Sequence, residues 1–387
     1  MLDMEHLLSN MRFLHTSDLQ IGKTFGFVDD ETLAILRAER LEVITRVGEL
    51  AVSRQAEAVL VAGDIYDNAY PGLDILLRPI ERMRQFPGIE WHLIPGNHDA
   101  HTANSPWERL VRTGLPPNVI IHTSTEPRPI ADGSAWIIPA ILTQRHMIGD
   151  PTGLFDNAET PAGAIRIGLA HGSVRSFGST ESSTNNLLAA DRAATAKLDY
   201  LALGDWHGMT RIDDRTWYSG TPEPDRFDAN NSEGHVLLVE VTSLALPTVT
   251  PLVSGRFTWH VLSAMVNSVE DVDALETQIR GLNPDLSRVL LQLKVSGTLD
   301  LSARDYFEQR ISTSLGSALR ALRLNADELF LKPSAAELEA IDHVGFVRVA
   351  ADQLSGLAQD IQNQDRDIAA EALQRLYVLH MRHTAVK

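Results

Sequence analysis

Residues 92–101 read His-Leu-Ile-Pro-Gly-Asn-His-Asp-Ala-His, and this stretch decides the fold that we predict. The apolar run before it is typical of the end of a buried strand, and the Pro-Gly pair then breaks that run. Because glycine lets the backbone turn sharply, Asn97, His98 and Asp99 should project from the carboxyl end of the strand. Open α/β sheets bind ligands at that edge. An amide, an imidazole and a carboxylate there can bind a metal ion and transfer a proton.

Composition is typical of a globular protein of two or three domains, with 44% hydrophobic and 22% charged residues in a chain of 387. There is no cysteine, which excludes disulfides, thiolate metal sites and cysteine nucleophiles. The sequence has no apolar run near 18 residues and no signal peptide. We therefore expect a cytoplasmic protein that neither spans a membrane nor is secreted.

The balance of charge is strongly acidic, with 34 basic against 51 acidic residues and a net charge of −17. Clustered Lys and Arg normally hold the phosphate backbone of nucleic acids, so this balance works against indiscriminate nucleic-acid binding. If the substrate is DNA, metal ions, a local basic patch or a partner must supply the attraction.

Other β-rich runs also end in polar residues. The runs and the residues that follow them are 11–17 with Asp18, 58–62 with Asp64 and Asp67, 91–94 with Asn97 and His98, 164–170 with His171, and 199–203 with Asp205 and His207. Apolar residues at helical spacing predict surface helices over about 31–54 and 73–85. Residues 172–186 predict a long flexible loop, and 235–241 and 248–253 an antiparallel strand pair.

The pattern changes after Gly255, since no further turn combines glycine with ligand-type residues. Strands near 257–266 and 288–295 and helices near 270–280 and 303–322 predict a small α+β region. From residue 334 to the end, apolar positions recur on two helices. We predict three regions, 11–255, 256–333 and 334–387, with residues 1–10 as a dispensable extension.

The five strand ends together favour a metal centre. A single Asp or His at a strand end is most often a turn cap or a solvated loop residue. Carboxylate, amide and imidazole donors converging on one sheet edge suit two divalent cations that share a carboxylate. Two such cations, about 3.5–4 Å apart, bind both the attacking and the leaving oxygen of a phosphoester. Phosphoester hydrolysis of this kind needs no nucleophilic side chain.

Five short blocks resemble the motifs of the calcineurin-like metallophosphoesterases. They are Asp18-x-Gln20, Gly63-Asp64-x-x-Asp67, Gly96-Asn97-His98-Asp99, His171-Gly172 and Gly204-Asp205-x-His207. Residues 15–18, 218–222 and 233–236 further resemble the SbcD branch, the nuclease subunits of DNA-break repair complexes. The resemblance covers about 11–255. It implies a four-layer α/β/β/α sandwich with a small α+β capping domain and a C-terminal helical arm.

The resemblance also implies metal ligands. Asp18 and His207 should bind one metal, Asp64 should bridge both, and Asn97 and His171 should bind the second. In two positions this chain departs from the family, which usually has histidine there: Gln20 and Asp205. Both replacements are oxygen donors, so we expect both to remain ligands.

The remaining roles concern catalysis and substrate. His98 should stabilise the transition state and protonate the leaving oxygen, with the Asp67 carboxylate orienting its ring. The alternative for Asp67 is a turn cap. Candidate substrate contacts are His101, Lys23 and Arg175, although such residues are commonly just solvated.

The resemblance therefore implies a phosphodiesterase with two divalent metals that acts on DNA as an exonuclease, and an additional endonuclease activity stays open. Mn²⁺ is the expected metal, with Mg²⁺ weaker. The implied partner is a coiled-coil ATPase of the SbcC type, docked through the C-terminal helices, and a homodimer stays open. Two alternatives remain: a phosphatase or cyclic-nucleotide phosphodiesterase on the same fold, and a non-catalytic scaffold with a degenerate metal site.

Overall fold

The computed structural model describes residues 10–174, 186–228, 232–243, 245–332, 346–360 and 362–385. The chain divides into two units, the first comprising Met1–Arg226 with Asn230–Thr258, the second Phe227–Ala229 with Trp259–Lys387. The division after Thr258 lies close to the predicted boundary at 255, and the predicted separation of 256–333 from 334–387 stays a prediction. Among the described residues, no helix has the length and apolar character needed to cross a bilayer.

The described residues of the first unit form fourteen strands. They are β1 (Asn10–Thr16), β2 (Ala58–Val61), β3 (Glu90–Leu93), β4 (Val119–Ile121), β5 (Arg128–Ile130), β6 (Ala135–Pro139), β7 (Ile165–His171), β8 (Ser173–Val174), β9 (Leu187–Leu188), β10 (Tyr200–Gly204), β11 (Thr210–Arg211), β12 (Thr216–Tyr218), β13 (His235–Thr242) and β14 (Thr248–Val253). The helices are α1 (Asp30–Ser53), α2 (Leu73–Arg84), α3 (Pro106–Thr113) and α4 (Arg192–Thr195), with 3₁₀ turns at Ala131–Gly133 and Pro151–Asn157.

Two six-stranded sheets organise this unit, in the orders β14-β13-β1-β2-β3-β4 and β11-β12-β10-β7-β6-β5. The strands β1, β2, β3 and β4 are parallel, as are β6, β7, β10 and β12. Antiparallel partners lie at the edges, including the predicted pair β13 and β14. The parallel strands therefore bring their carboxyl ends, and the polar turns after them, to one edge of each sheet. The predicted mixed α/β fold is confirmed.

Strand alternation explains why the sheets stack. In β1, Phe13 packs into a core that also holds Ile137 and Ile167 from the second sheet. The next residue, Leu14, packs on the opposite face with Val43 and Val47 of α1. Burying each such side chain contributes roughly 1.5–3 kcal/mol. The period-2 pattern thus places one core between the sheets and another beneath the helices.

Helix α1 begins where Asp29 caps it, because its side chain accepts a hydrogen bond from the backbone N–H of Thr32 at 2.7 Å. Asp30 and Glu31 in the first turn suit the positive end of the helix dipole. The buried face of α1 includes Arg40, a charged residue among apolar neighbours. Of the loop predicted over 172–186, residues 175–185 lie outside the described residues.

The second unit follows the predicted α+β pattern with one difference. Its elements are β15 (Thr258–Val266), α5 (Val269–Arg280), a 3₁₀ turn (Leu286–Arg288), β16 (Val289–Leu299), α6 (Leu301–Phe307), a π-helical segment (Glu308–Leu315), α7 (Gly316–Ala318), β17 (Ala321–Leu331), α8 (Phe346–Gln359) and α9 (Arg366–Ala385). The predicted helix 303–322 stops early because the alternating residues from Ala321 form β17, parallel to β16. The strand order is β15-β16-β17. The C-terminal region is helical where it is described.

Candidate metal centre

The polar turns predicted to converge do so in the first unit. Asp18 follows β1, Asp64 follows β2, and His171 ends β7 in the facing sheet. Single ligand atoms of these three buried residues lie within 4.8 Å of one another. Since no sequence-local contact joins β1 to β7, the stacking of the two sheets creates this cluster.

The backbone at this cluster is strained. Of the nine non-glycine residues with positive φ among those described, four belong to the predicted ligand set: Asp18 (54°), Gln20 (50°), Asp64 (54°) and Asp205 (102°). Backbone hydrogen bonds hold the first two turns together, from Asp18 N–H to the Gly63 carbonyl at 3.1 Å and from Gln20 N–H to the Asp64 carbonyl at 3.0 Å. Each such residue costs on the order of 1–3 kcal/mol, and strain of this kind is typical of functional sites.

Glycines allow the turns to approach closely. A Cβ on Gly63 would lie 2.4 Å from His171 Nδ1, and one on Gly96 would lie 2.1 Å from Asp64 Oδ1. Only hydrogen fits in these places. The Gly-Asp and Gly-Asn pairs of the sequence therefore reflect packing between ligand-bearing turns.

Four buried side-chain atoms here have no hydrogen-bond partner within the described part of the chain: Asp18 Oδ1, Gln20 Oε1, Asn97 Oδ1 and His171 Nε2. The Nδ1 atom of His171 donates to the Ala62 carbonyl at 2.8 Å, which turns the other ring nitrogen towards Asp64. A buried polar atom without a partner costs about 1–3 kcal/mol. Three oxygens and one imidazole nitrogen form a donor set that fits divalent cations.

Asp64 lies at the centre of the group. Its Oδ1 accepts a hydrogen bond from the His98 backbone N–H, and its Oδ2 accepts one from the Gln20 side chain, each at 2.9 Å. Burial raises the pKa of Asp64 to about 6, against the lowering effect of His171, and the negative charge of Asp18 adds to the rise. A carboxylate held in this way is suited to neutralisation by a cation.

The His171 ring responds in the opposite direction. Burial lowers its pKa, but the carboxylates of Asp64, Asp18 and Asp205 outweigh burial and raise the pKa to about 9. The Nε2 atom lies 3.6 Å from Asp64 Oδ1 and 3.8 Å from Asp205 Oδ1. The carboxylates around the His171 ring therefore strongly favour a positive charge there.

The side chains of Asp205 and Asn97 lie next to each other. The Asn97 amide donates to Asp205 Oδ1 at 3.4 Å, and the Ser173 hydroxyl donates to the other carboxylate oxygen at 2.5 Å. The backbone N–H of Asp205 donates to Asp18 Oδ2 at 3.2 Å. Asp205 is thus hydrogen-bonded both to Asn97 and to Asp18.

His207 faces Asp18, with Nε2 at 3.7 Å from Asp18 Oδ1. Its Nδ1 is held by the buried carboxylate of Asp225 at 2.8 Å. Burial would raise the pKa of Asp225, but His207, Arg40 and Lys23 outweigh it and hold that pKa well below its usual range. The sequence analysis did not identify Asp225, because nothing in its spacing marks it. Lys23 binds Asp225 at 2.7 Å, and its contact with substrate stays a prediction.

The contact between Asp67 and His98 differs from the expected one. His98 Nδ1 lies 2.9 Å from the backbone carbonyl oxygen of Asp67, whereas the Asp67 carboxylate lies 3.9 Å from Lys23 Nζ. The expectation that the carboxylate orients the ring is therefore corrected, since a carbonyl does so. A carbonyl only accepts, so Nδ1 carries the hydrogen and Nε2, 4.0 Å from Asp64 Oδ2, is directed into the site.

Asp99 has a structural role that the sequence analysis did not assign. Its carboxylate accepts hydrogen bonds from the backbone N–H of Gly96 at 2.7 Å and of Tyr66 at 3.0 Å. These bonds join the turn after β3 to the turn after β2. Burial, together with the charge of Asp64, raises the pKa of Asp99 to about 7.

The other two candidate substrate contacts, His101 and Arg175, stay predictions. His101 is half-buried, and its backbone N–H donates to the Leu142 carbonyl at 2.8 Å. Arg175 lies outside the described residues.

Comparison with known proteins identifies relatives of this chain. It is 25% identical over 307 residues to the SbcD component of the nuclease SbcCD of Escherichia coli, covering 68% of this chain and 75% of that protein. It is 23% identical over 252 residues to the DNA double-strand break repair protein Mre11 of Methanosarcina acetivorans, covering 62% of this chain and only 39% of that protein. A shorter match, 33% identical over 93 residues, is to the SbcD component of the nuclease SbcCD of Rhodobacter capsulatus, covering 23% and 22%.

The family model described as calcineurin-like phosphoesterase matches residues 11–238, which is more than half of the chain. That range contains every residue of the cluster described above. Phosphoesterases are hydrolases, and the family uses divalent metals. The chain belongs to the calcineurin-like phosphoesterase family.

Proposed function

We propose that this chain is a dinuclear-metal-dependent phosphodiesterase that cleaves DNA, as the nuclease subunit of an assembly similar to SbcCD. The observation that carries the proposal is the set of four unpartnered ligand atoms around Asp64. A merely structural cluster would satisfy these atoms with hydrogen bonds. Relatives named as DNA repair and nuclease proteins support DNA as the substrate.

The ligands divide into two groups. Asp18, Gln20 and His207 would hold the first cation, and Asn97, His171 and Asp205 the second. Asp64 lies between the groups, with contacts to Gln20 and His171, and would bridge both cations. When bound, the cations neutralise the phosphate and supply an activated water. They also offset part of the negative charge that opposes DNA binding in a chain of net charge −17.

His98 would act on the leaving group. The Asp67 carbonyl fixes the ring through Nδ1 at 2.9 Å, and the His98 backbone N–H binds Asp64 at 2.9 Å. The protonated ring can then donate from Nε2 to the departing oxygen, while the ring itself is prevented from rotating. Its half-exposed position suits contact with a large substrate.

The identity of the metal follows from the donors. Oxygen atoms from Asp18, Asp64 and Asp205, with the amides of Gln20 and Asn97, outnumber the two imidazoles. Hard, oxygen-rich sites favour Mg²⁺ and Mn²⁺ over Zn²⁺. We therefore propose Mn²⁺ as the activating metal, with Mg²⁺ weaker.

The C-terminal helices would dock on a coiled-coil ATPase of the SbcC type. Helices α8 and α9 pack on each other through Ala351 and Leu373, yet large apolar side chains remain exposed. The most exposed are Phe346 at 86% and Ile368 at 67%. Exposed apolar groups on paired helices suit a protein partner. A homodimer remains a second possible assembly for this surface.

The test is hydrolysis of single- and double-stranded DNA by the full chain across a panel of divalent metals, alongside a chromogenic phosphodiester. Metal-dependent cleavage of DNA, lost in the Asp64→Asn variant, is the expected result. Cleavage of the chromogenic diester without any action on DNA would instead favour a small-molecule phosphodiesterase. Absence of metal binding would favour a non-catalytic scaffold.

A further inference from the structure

Arg40 is a buried cation on helix α1, with only 1% of its surface exposed. Its guanidinium makes five hydrogen bonds, none of them to a carboxylate. They run from Nε to the Leu19 carbonyl (3.0 Å), from Nη1 to the carbonyls of Glu223 (2.9 Å) and Pro224 (3.3 Å), and from Nη2 to the Asp18 carbonyl (3.2 Å) and the Thr221 hydroxyl (3.3 Å).

These five acceptors belong to two loops that are distant in sequence. One loop carries Asp18 immediately after β1. The other, residues 221–225, ends in Asp225, whose carboxylate holds His207 Nδ1 at 2.8 Å. Thr221 joins the loops a second time, because its hydroxyl lies 3.0 Å from the Asp18 carbonyl. Arg40 thus binds the backbone of Asp18 and also the loop that orients His207.

Burying a guanidinium away from water is unfavourable, and backbone carbonyls alone offset this only in part. Burial lowers the pKa of Arg40, and the negative charges of Asp225, Glu223, Asp67 and Asp18 act in the opposite direction and favour the protonated guanidinium. The place of Arg40 between Asp18 and the Asp225 loop points to a role in the geometry of the site.

We propose that Arg40 is a positioning residue that fixes the spacing between Asp18 and His207, and hence the affinity for the first metal. This inference rests on the proposed function, since it takes these two residues as ligands of one cation. The remaining side chain in that group is Gln20, a neutral and weak donor. The affinity of the first site therefore depends on how well the other ligands are held.

The planar fork of arginine is essential to this role. Its three nitrogens are directed at Leu19, at the 223–224 carbonyls and at the Asp18–Thr221 pair, so one rigid group spans both loops. A lysine ammonium keeps the charge but has only three donors on one atom. Arg40→Lys therefore keeps the positive charge but removes the planar guanidinium, so it tests the geometry alone. Neither Asn97 nor Asp205 receives a hydrogen bond from Arg40 among the described contacts, so the second metal should be affected less than the first, through the Asp205 N–H bond to Asp18.

The experiment counts bound Mn²⁺ by calorimetry and records the electron paramagnetic resonance signature of coupled manganese pairs. Full-length wild type, Arg40→Lys and Arg192→Lys are compared. Arg192 is the matched control, because it is also a buried arginine and its guanidinium binds the carboxylates of Asp156 at 3.0 Å and Asp150 at 2.9 Å. Neither of those acceptors is a proposed ligand or belongs to the 221–225 loop.

We expect Arg40→Lys to lower first-site affinity by about 10- to 100-fold and to lose the coupled signature, while the affinity of the second site falls much less. Arg192→Lys should bind two ions like wild type. Thr221→Val, which deletes one hydroxyl and should fold, is expected to weaken the first site by about 2- to 10-fold. It keeps the inference testable if Arg40→Lys does not fold.

Two results would overturn the inference. If wild type binds two ions and both variants, Arg40→Lys and Thr221→Val, retain first-site affinity, Arg40 does not position the ligands. An equal loss at both sites would also refute it, because the effect would then be general. If wild type binds no metal, the proposed function fails first and this inference fails with it.

Discussion

Nδ1 of His98 lies 2.9 Å from the backbone carbonyl oxygen of Asp67, and the carboxylate of Asp67 lies 3.9 Å from Lys23 Nζ. The orientation of the His98 ring therefore depends on the course of the chain at residue 67. Removing the negative charge there should leave the ring where it is. His98→Ala and Asp67→Asn should therefore have different effects on activity, although the sequence alone would predict that both disturb the ring.

His98→Ala should lower turnover by about 100-fold or more while both metals still bind, because the ring serves the leaving group. Asp67→Asn keeps the carbonyl and should retain most of the activity. Turnover of a phosphodiester and calorimetric metal titration of both variants check this. Loss of a metal in His98→Ala would make His98 a ligand.

Metal affinity should fall as the pH falls. A cation competes with protons for His171, whose pKa is raised to about 9, and for Asp64, whose pKa is raised to about 6. As the pH decreases through these two values, protons occupy first the imidazole and then the carboxyl, so binding weakens. Calorimetry in two buffers of different ionisation enthalpy should also detect proton release. Affinity that does not change with pH would contradict the assignment of both ligands.

Gln20→His should raise affinity at the first metal site and reduce the Mn²⁺ concentration needed for activity. Imidazole is a better donor than a neutral amide, and histidine tolerates the left-handed backbone that Gln20 adopts, with φ at 50°. The wild type should be active with Mn²⁺ at millimolar levels, weaker with Mg²⁺ and nearly inactive with Zn²⁺. Metal-dependence curves decide the matter. Superimposed curves for the two proteins, or Zn²⁺ as the best activator, would refute the argument from donor hardness.

Gly96→Ala should abolish metal binding and destabilise the fold. The added Cβ would lie 2.1 Å from Asp64 Oδ1 and 2.4 Å from the Asp64 backbone nitrogen, so the bridging carboxylate must move. Overpacking of this kind costs about 1–3 kcal/mol. Gly88→Ala is the control, since its Cβ would meet nothing within 4 Å. Thermal unfolding and metal titration of the two variants should differ clearly, and equal behaviour would mean that the turns have room to shift.

Deleting residues 334–387 should abolish co-purification with the ATPase partner while metal-dependent activity of the lone chain persists. Phe346→Glu with Ile368→Glu tests the same surface without truncation, because both side chains are exposed. Leu301→Glu, exposed at 76% in the same unit, is the matched control and should leave the complex intact. A complex that survives the deletion rules out this docking mode.

Periodicity predicted much of the first unit, because β1, α1, β2, α2 and β3 each follow a local pattern. The turns after the strands were likewise evident from glycine beside ligand-type residues. The contacts of Arg40 and Asp225 were not evident from the sequence. Arg40 and Thr221, for example, are 181 residues apart, and no spacing rule joins them. The helix predicted near 303–322 overlaps only the first two residues of β17, and the rest of this strand was not predicted. Local sequence patterns thus locate the candidate ligands. The residues that hold those ligands in place are identified only from the long-range contacts of the folded chain.

The left-handed backbone at Asp18, Gln20, Asp64 and Asp205 has a consequence for protein engineering. Glycine adopts that conformation without strain, and at three of these positions it would also remove a negative charge from a crowded cluster. A library screened only for heat resistance should therefore enrich glycine at these positions and return robust but inactive variants. Any stabilisation campaign on this chain needs a metal-binding selection applied in the same round.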